Sequence, residues 1–135
     1  MKEPIIIEEL GKIFGRDAIY LDAIEFLNIR TVKLRGDING ALCENITRHR
    51  WIAYELTFHD LLEFSLVKID FFQDTGYTSS FERIIESEKI KRYSMSSQGH
   101  KVKKAHEQYL FHTYDDVIAV IASGFEIKLT PKEDS

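Results

Sequence analysis

Cysteine and proline are scarce in this chain, and each shortage excludes a class of protein. The 135 residues include one cysteine, Cys43, so no internal disulfide can form, and we expect a reducing, cytoplasmic location. Two prolines and seven glycines provide few breaks, so we expect long elements and no linker. No stretch approaches the ~18 apolar residues of a membrane span. The N-terminal run of three isoleucines is also too short for a signal peptide.

Sequence signatures of catalysis and of cofactor binding are also missing. There is no P-loop, no G-x-G-x-x-G and no serine in a G-x-S-x-G elbow. Glu44 follows Cys43, and its charge disfavours a reactive thiolate. The histidines at 100, 106 and 112 share no helical face and lie roughly 20 Å apart along a strand, so we predict no metal site and no cofactor. The five histidines are His49, His59, His100, His106 and His112.

The bulk composition and the periodicity predict one α+β domain over residues 1–135. Hydrophobic residues make up 44% of the chain and charged residues 30%, which is typical of a folded globule. We expect a mostly antiparallel sheet, with a hairpin bent near Asn28 and strands over 51–59, 61–72, 106–114 and 125–130. Two short helices would pack on one face of this sheet. They are predicted over 79–93, with Ser79 and Glu82 as a capping box, and over 115–124, ending at Gly124.

The stretch "WIAYELTFH" shows the cleanest alternation in the chain. Its period of two indicates a strand whose residues 52–58 pack inward at every second position. The opposite face carries Trp51, Glu55 and His59, which would form a binding groove if they contact a ligand. A small enzyme with His59 as general base and Glu55 assisting is the catalytic alternative. Trp51 and Tyr54 are candidate aromatic anchors for a binding partner.

Charge is distributed unevenly along the chain. The net charge is −4, yet residues 89–104 contain six basic residues and no acidic ones. The rest of the chain therefore carries a balance of −10, which would attract a basic protein and makes nucleic acid an unfavourable partner. The basic segment is the alternative binding site, for phosphate or nucleic acid. Its cationic residues are Lys89, Lys91, Arg92, Lys101, Lys103 and Lys104.

Three stretches share a similar spacing of apolar positions: "DAIEFLNIRTVKLRGDI", "WIAYELTFHDLLEF" and "QYLFHTYDDVIAVIASGFEIKL". In this spacing and in the order of its predicted elements, the chain resembles small single-domain bacterial proteins, some of which are candidate immunity proteins of polymorphic toxin systems. The resemblance implies a non-enzymatic protein that binds and caps a toxin domain, and it assigns no functional residue. We therefore expect macromolecular binding, with immunity-type inhibition of a basic toxin as the specific form. A homodimer is a further expectation, because the apolar content could include a dimer face.

Overall fold

The computed structural model describes residues 1–45, 50–72, 76 and 78–132. Within these residues nine strands form two antiparallel sheets, and one α-helix is present. The expectation of mostly antiparallel sheet is confirmed. His49 lies outside the described residues. So does most of the stretch "QDTGY" (73–77), whose residues favour a turn around Gly76. Among the described residues, no helix has the length and apolar character needed to span a membrane.

The first sheet contains the alternating stretch in its interior. Its strands are β2 (Ile19–Asn28), β3 (Thr31–Asn39), β4 (Trp51–His59) and β9 (Gly124–Pro131), in the order β2-β3-β4-β9. The hairpin predicted near Asn28 is confirmed as the β2–β3 turn. The two ends of β4 give names to the ends of the molecule: the Trp51 end and the Asp60 end.

The second sheet has five strands in the order β1-β6-β7-β8-β5. They are β1 (Lys2–Pro4), β5 (Glu63–Lys68), β6 (Phe81–Ile84), β7 (Glu107–His112) and β8 (Asp116–Ala122). Helix α1 (Glu88–Ser94) and a 3₁₀ turn (Gly99–Lys101) follow β6 at the Asp60 end.

An aromatic core joins the two sheets face to face. Phe58 of β4 is fully buried, and its ring centroid lies 5.3 Å from that of Tyr109 on β7 and 6.3 Å from that of Phe81 on β6. Phe125 of β9 closes this cluster at 5.1 Å from Phe81. Aromatic side chains bury large apolar areas and favour such tilted and edge-on contacts, so this cluster is a main source of stability.

The helix predicted over 79–93 is wrong in its first half, which is strand β6. The Ser79 hydroxyl accepts a hydrogen bond from the backbone N–H of Ile13 at 3.1 Å, and Glu82 accepts one from the N–H of Thr78 at 2.7 Å. Both side chains therefore serve other contacts and cap no helix. The helix begins later, where Ser87 is the N-cap and accepts a hydrogen bond from the N–H of Ile90 at 3.2 Å.

The helix predicted over 115–124 is also wrong, because this segment forms strand β8. Strand β8 lies between β7 and β5, and both of its faces are covered: Ile118 and Val117 on opposite faces are 0% and 1% exposed. The sequence of a strand buried on both faces is a continuous apolar run, and its periodicity alone does not distinguish it from a buried helix. Asp116 caps no helix; its carboxylate lies 3.0 Å from the ammonium of Lys68.

One side of the sandwich is incompletely covered, where the edge strands β2 and β5 meet. Ile24 and Phe26 face the interior yet are 37% and 54% exposed, and Leu66 of β5 is 38% exposed. Phe26 contacts Phe64 across the gap between the sheets, with 5.6 Å between ring centroids. Strand β5 pairs with β8 in unbroken register.

Candidate functional site

The outer face of the first sheet, around β4, carries a network of ion pairs. Trp51, Glu55 and His59 share this face as predicted, since their positions alternate with buried ones. The ammonium of Lys33 lies 3.1 Å from Glu55, and that of Lys132 lies 2.9 Å from Asp37. Paired charges on an open sheet neutralise one another and stay hydrated, so this face resembles ordinary solvated surface.

His59 and Glu55, the candidate catalytic residues, have different partners within this network of ion pairs. The Nε2 atom of His59 is 2.6 Å from a carboxylate oxygen of Glu126, which is a pair open to solvent. A shallow depression on the same face is lined by Glu55 and Glu126, and His59 does not line it. The hydrogen bond from Lys33 and its charge lower the pKa of Glu55, which keeps this carboxylate ionised and weakly basic. The geometry thus provides no enclosed site for general base catalysis by His59.

Tyr54 cannot be an exposed anchor, which corrects its assignment as a binding residue. It lies on the inner face of β4, is 1% exposed and packs edge-on against Phe111 with 5.6 Å between ring centroids. Burial raises the pKa of its hydroxyl, which donates a hydrogen bond to the backbone oxygen of Tyr20 at 2.9 Å. Tyr54 thereby positions Tyr20, which is itself a surface residue.

Trp51, the other candidate anchor, belongs to a continuous row of rings and guanidinium groups at its end of the sandwich. The ring of Tyr20 meets Trp51 edge-on, with 5.6 Å between centroids, and stacks on Tyr114 at 5.3 Å. The guanidinium carbons at the two ends lie 4.8 Å and 5.5 Å from the centroids of Tyr114 and Trp51. We call this row the aromatic strip. Its members are Arg16, Tyr20, Arg50, Trp51 and Tyr114.

Hydrogen bonds join two of the segments that form the aromatic strip, residues 16–20 and the segment after β7. The N–H of Tyr114 donates to the backbone oxygen of Ile19 at 2.8 Å, which brings the segment after β7 beside β2. The Nε atom of Arg16 donates to the backbone oxygen of Tyr114, also at 2.8 Å. Arg16 and Arg50 are exposed, Tyr20 and Trp51 are half-buried, and Tyr114 is 39% exposed. The rings are therefore held in place before any partner arrives.

The predicted basic segment is divided between two structural elements and several ion pairs. On α1, Lys89 lies 2.8 Å from Glu63 and Lys91 lies 3.6 Å from Glu88. The charge of Arg92 also acts on Glu63, whose pKa is raised by burial but lowered overall by hydrogen bonds from Lys89 and Tyr93. These helical cations are thus largely neutralised.

The second half of the basic segment contains the remaining cations, Lys101, Lys103 and Lys104. All three side chains are exposed. Lys103 lies 2.9 Å from Asp60, and Lys101 lines two adjacent clefts. Among the described residues, no carboxylate lies within ion-pair distance of Lys101 or Lys104. This half therefore retains positive charge at the Asp60 end.

Three further titratable groups are structural. Cys43 is buried, and burial raises the pKa of its thiol to about 11, so it is no nucleophile at neutral pH. His112 and Glu82 form an internal pair, 3.1 Å apart and both at most 2% exposed. Within the described part of the chain, no three His, Cys, Asp or Glu side chains converge to hold a metal ion.

Comparison with known proteins gives no relative from which a function could be transferred. No family model matches the chain, and neither the curated proteins nor the solved structures include a significant match. The molecule is thus a two-sheet antiparallel domain with one aromatic strip at its Trp51 end, and its function must be argued from its own residues.

Proposed function

We propose that this chain is a protein-binding domain and that the aromatic strip is its contact surface. The observation that carries the proposal is the unbroken row from Arg16 to Arg50, in which three rings and two guanidinium groups contact one another in sequence. Trp, Tyr and Arg are the three residue types most enriched at the energetic centres of protein interfaces.

The restrained geometry of the aromatic strip also supports a role in binding. A rigid aromatic surface loses little conformational entropy on binding, because its side chains are already restrained. Hydrogen bonds from Tyr54 and Arg16 hold the backbone oxygens of Tyr20 and Tyr114. The two rings restrain each other by stacking, with 5.3 Å between centroids. The outer face of β4, by contrast, contains paired charges that would have to be desolvated for little gain.

The specific form that we propose is inhibition of a basic protein, such as the toxin expected of an immunity-type pair. The net charge of −4 supports it, because the negative field of the whole molecule speeds the approach of a cationic partner. At the contact itself, Arg16 and Arg50 would pair with carboxylates of that partner. The association rate should then fall steeply as salt rises, while the dissociation rate changes little. A cytoplasmic location is part of the same proposal and is supported by the single, buried thiol of Cys43.

The test is quantitative capture of partners from a lysate of the source cells. We expect one protein to bind the unmodified chain in stoichiometric amount, and Trp51→Ala to reduce its retention about tenfold or more. Arg50→Gln tests the same surface without disturbing the core, because Arg50 is exposed. The matched control is Arg35→Gln, an arginine on the outer face of β3, half-exposed and 3.9 Å from Glu25. Equal retention by the Arg50 and Arg35 variants would contradict the proposal.

Self-association through the open β2/β5 side is a second candidate, favoured by the exposure of Phe26 and Leu66. Contiguous apolar surface on a soluble domain commonly marks an interface. Such a dimer would not pair two β2 edges directly. Asp22 and Glu25 lie on β2, which has no basic residue, so that pairing would bring like charges together. Sedimentation over a wide concentration range separates monomer from dimer, and Phe26→Lys should abolish any dimer that uses this side.

A further inference from the structure

A cleft at the Asp60 end combines cationic and apolar groups far from the aromatic strip. It has a volume of ≈ 490 Å³ and lies where the β2–β3 turn, the segment after β4 and the 3₁₀ turn meet. This size falls within the range of small-molecule sites. We call it the basic cleft. It is lined by Arg30, Leu61, Leu62, His100, Lys101 and Lys103.

Hydrogen bonds connect the three segments that form the walls of the basic cleft. The Nδ1 atom of His106 accepts from the backbone N–H of Lys103 at 2.8 Å, so its Nε2 carries the proton and donates to the backbone oxygen of Asp60 at 3.0 Å. The His106 side chain is 0% exposed. The N–H of Leu61 donates to the backbone oxygen of Arg30 at 3.0 Å. Three segments distant in sequence are thereby fixed together.

Asp60 holds two cationic side chains of the basic cleft, Arg30 and Lys103, in position by ion pairs. Its carboxylate pairs with the guanidinium of Arg30 on one oxygen and lies 2.9 Å from the ammonium of Lys103 on the other. Both cationic side chains remain about 60% exposed, so each keeps donors directed to solvent. Asp60 has φ 55°, a left-handed conformation that aspartate tolerates better than most residues.

The charge balance of the basic cleft favours an anion. Arg30, Lys101 and Lys103 supply three positive charges against the one carboxylate of Asp60. Arginine and lysine are the usual partners of phosphate, through charge-assisted hydrogen bonds. A second cleft of ≈ 220 Å³ shares Leu62 and Lys101 and is also lined by Tyr93. It offers apolar and aromatic surface beside the cations.

We propose that the basic cleft binds a phosphate ester whose phosphate groups contact Arg30, Lys101 and Lys103 and whose organic part lies in the adjacent cleft against Tyr93. The proposal is independent of the aromatic strip, which lies at the opposite end of β4. The network around His106 and Asp60 orders two of the three cationic groups, Arg30 and Lys103, before binding, which reduces the entropy lost when the ligand arrives.

Titration calorimetry with inorganic pyrophosphate, ADP and inositol trisphosphate at about 50 mM salt tests the proposal. We expect ADP to bind more tightly than pyrophosphate, because its base can occupy the adjacent cleft. Tighter binding of inositol trisphosphate than of ADP would assign the site to a sugar or lipid headgroup and would overturn the role of Tyr93. Absence of heat with all three ligands at millimolar concentration would overturn the site as a whole.

Paired lysine variants separate a defined site from general positive charge. Lys101→Gln should weaken binding about tenfold, because it removes a charge-assisted contact. Lys104→Gln is the matched control: it lies in the same exposed segment but lines neither cleft, and it should change affinity by less than about twofold. Arg30→Gln gives an independent test on another segment. Equal loss from the Lys101 and Lys104 variants would contradict the proposal.

Discussion

The rings of Tyr20 and Trp51 meet edge-on, 5.6 Å between centroids and at 68°, although they lie on strands that do not pair with each other. Strand β3 separates β2 from β4, and Asp37 and Asn39 are the residues opposite the two rings. The contact is therefore made across the outer surface of the sheet. It depends on the register of three strands, so changes that displace β2 or β3 should alter the aromatic strip.

Gly36→Ala should displace Tyr20 and destabilise the fold. A Cβ atom at this position would lie 1.9 Å from the backbone oxygen of Tyr20 and 2.9 Å from the hydroxyl of Tyr54. Relief of that overlap requires β2 to move, at a cost of about 1–3 kcal/mol in the free energy of unfolding. Gly124→Ala is the matched control, because a Cβ atom there meets nothing within 4 Å. Urea denaturation of both variants checks the difference, and equal stabilities would refute this packing.

Phe58→Ala should be among the most destabilising core substitutions. Phe58 is fully buried and contacts the rings of Phe81, Tyr109 and Phe125. Its truncation leaves a cavity between the sheets and should lower the free energy of unfolding by about 3–5 kcal/mol. Phe71→Ala, at a residue 78% exposed, should change it by less than about 0.5 kcal/mol. Thermal or urea unfolding of the pair measures the contrast, and similar losses would argue against two packed sheets.

Asp60 should make stability depend on acid pH. The hydrogen bond from Lys103 lowers the pKa of Asp60 below its ordinary value of 3.8, against the opposing effect of burial, and Arg30 lowers it further. A lowered folded-state pKa means that the contribution is complete above the unfolded-state pKa and is lost as the pH falls through the folded-state pKa. Asp60→Asn, which also tolerates φ 55°, should therefore be less stable than the unmodified chain at pH 7. The gap should narrow as the pH falls through the folded-state pKa, which lies below 3.8. A gap in urea midpoints that stays constant with pH would contradict this electrostatic role.

Cys43 should react slowly in the folded protein. Burial raises the pKa of its thiol to about 11, so at pH 8 only about one molecule in a thousand carries the thiolate. We expect labelling by a disulfide reagent to be limited by unfolding and to become fast in denaturant. The comparison is the labelling rate with and without urea. Cys43 forms a β-bridge with Ile13. Rapid labelling of the folded chain would show that Cys43 is accessible and that the packing around this bridge is loose.

The sequence predicts those elements whose pattern reflects a single buried face. Strand β4 alternates because one face packs against Tyr109 and the other meets solvent, and that alternation is visible in the residues. Strand β8 gives no such signal, because both of its faces are covered. Ser79 and Glu82 have the spacing of a helix cap but contact Ile13 and Thr78, which no local pattern reveals.

In each of the two candidate sites, some residues are evident from the sequence and others are brought in only by the fold. The cations of residues 89–104 are evident from composition, whereas Arg30 and Asp60 join them only through the fold. Trp51 stands out as the single tryptophan, but its neighbours in the aromatic strip are distributed over residues 16–114. Their contacts depend on strand register, which sequence spacing does not encode.

Site-specific photo-crosslinking tests the aromatic strip most directly. A benzophenone side chain would replace Tyr114 in one version of the chain and Ile29, an exposed residue of the β2–β3 turn at the Asp60 end, in the other. Both would be irradiated in source cells and the products separated by mass. We expect one discrete crosslinked partner from position 114, lost on further substitution Trp51→Ala, and none from position 29. Crosslinks from position 29 alone, or from both positions to the same extent, would contradict the assignment of the aromatic strip as the binding surface.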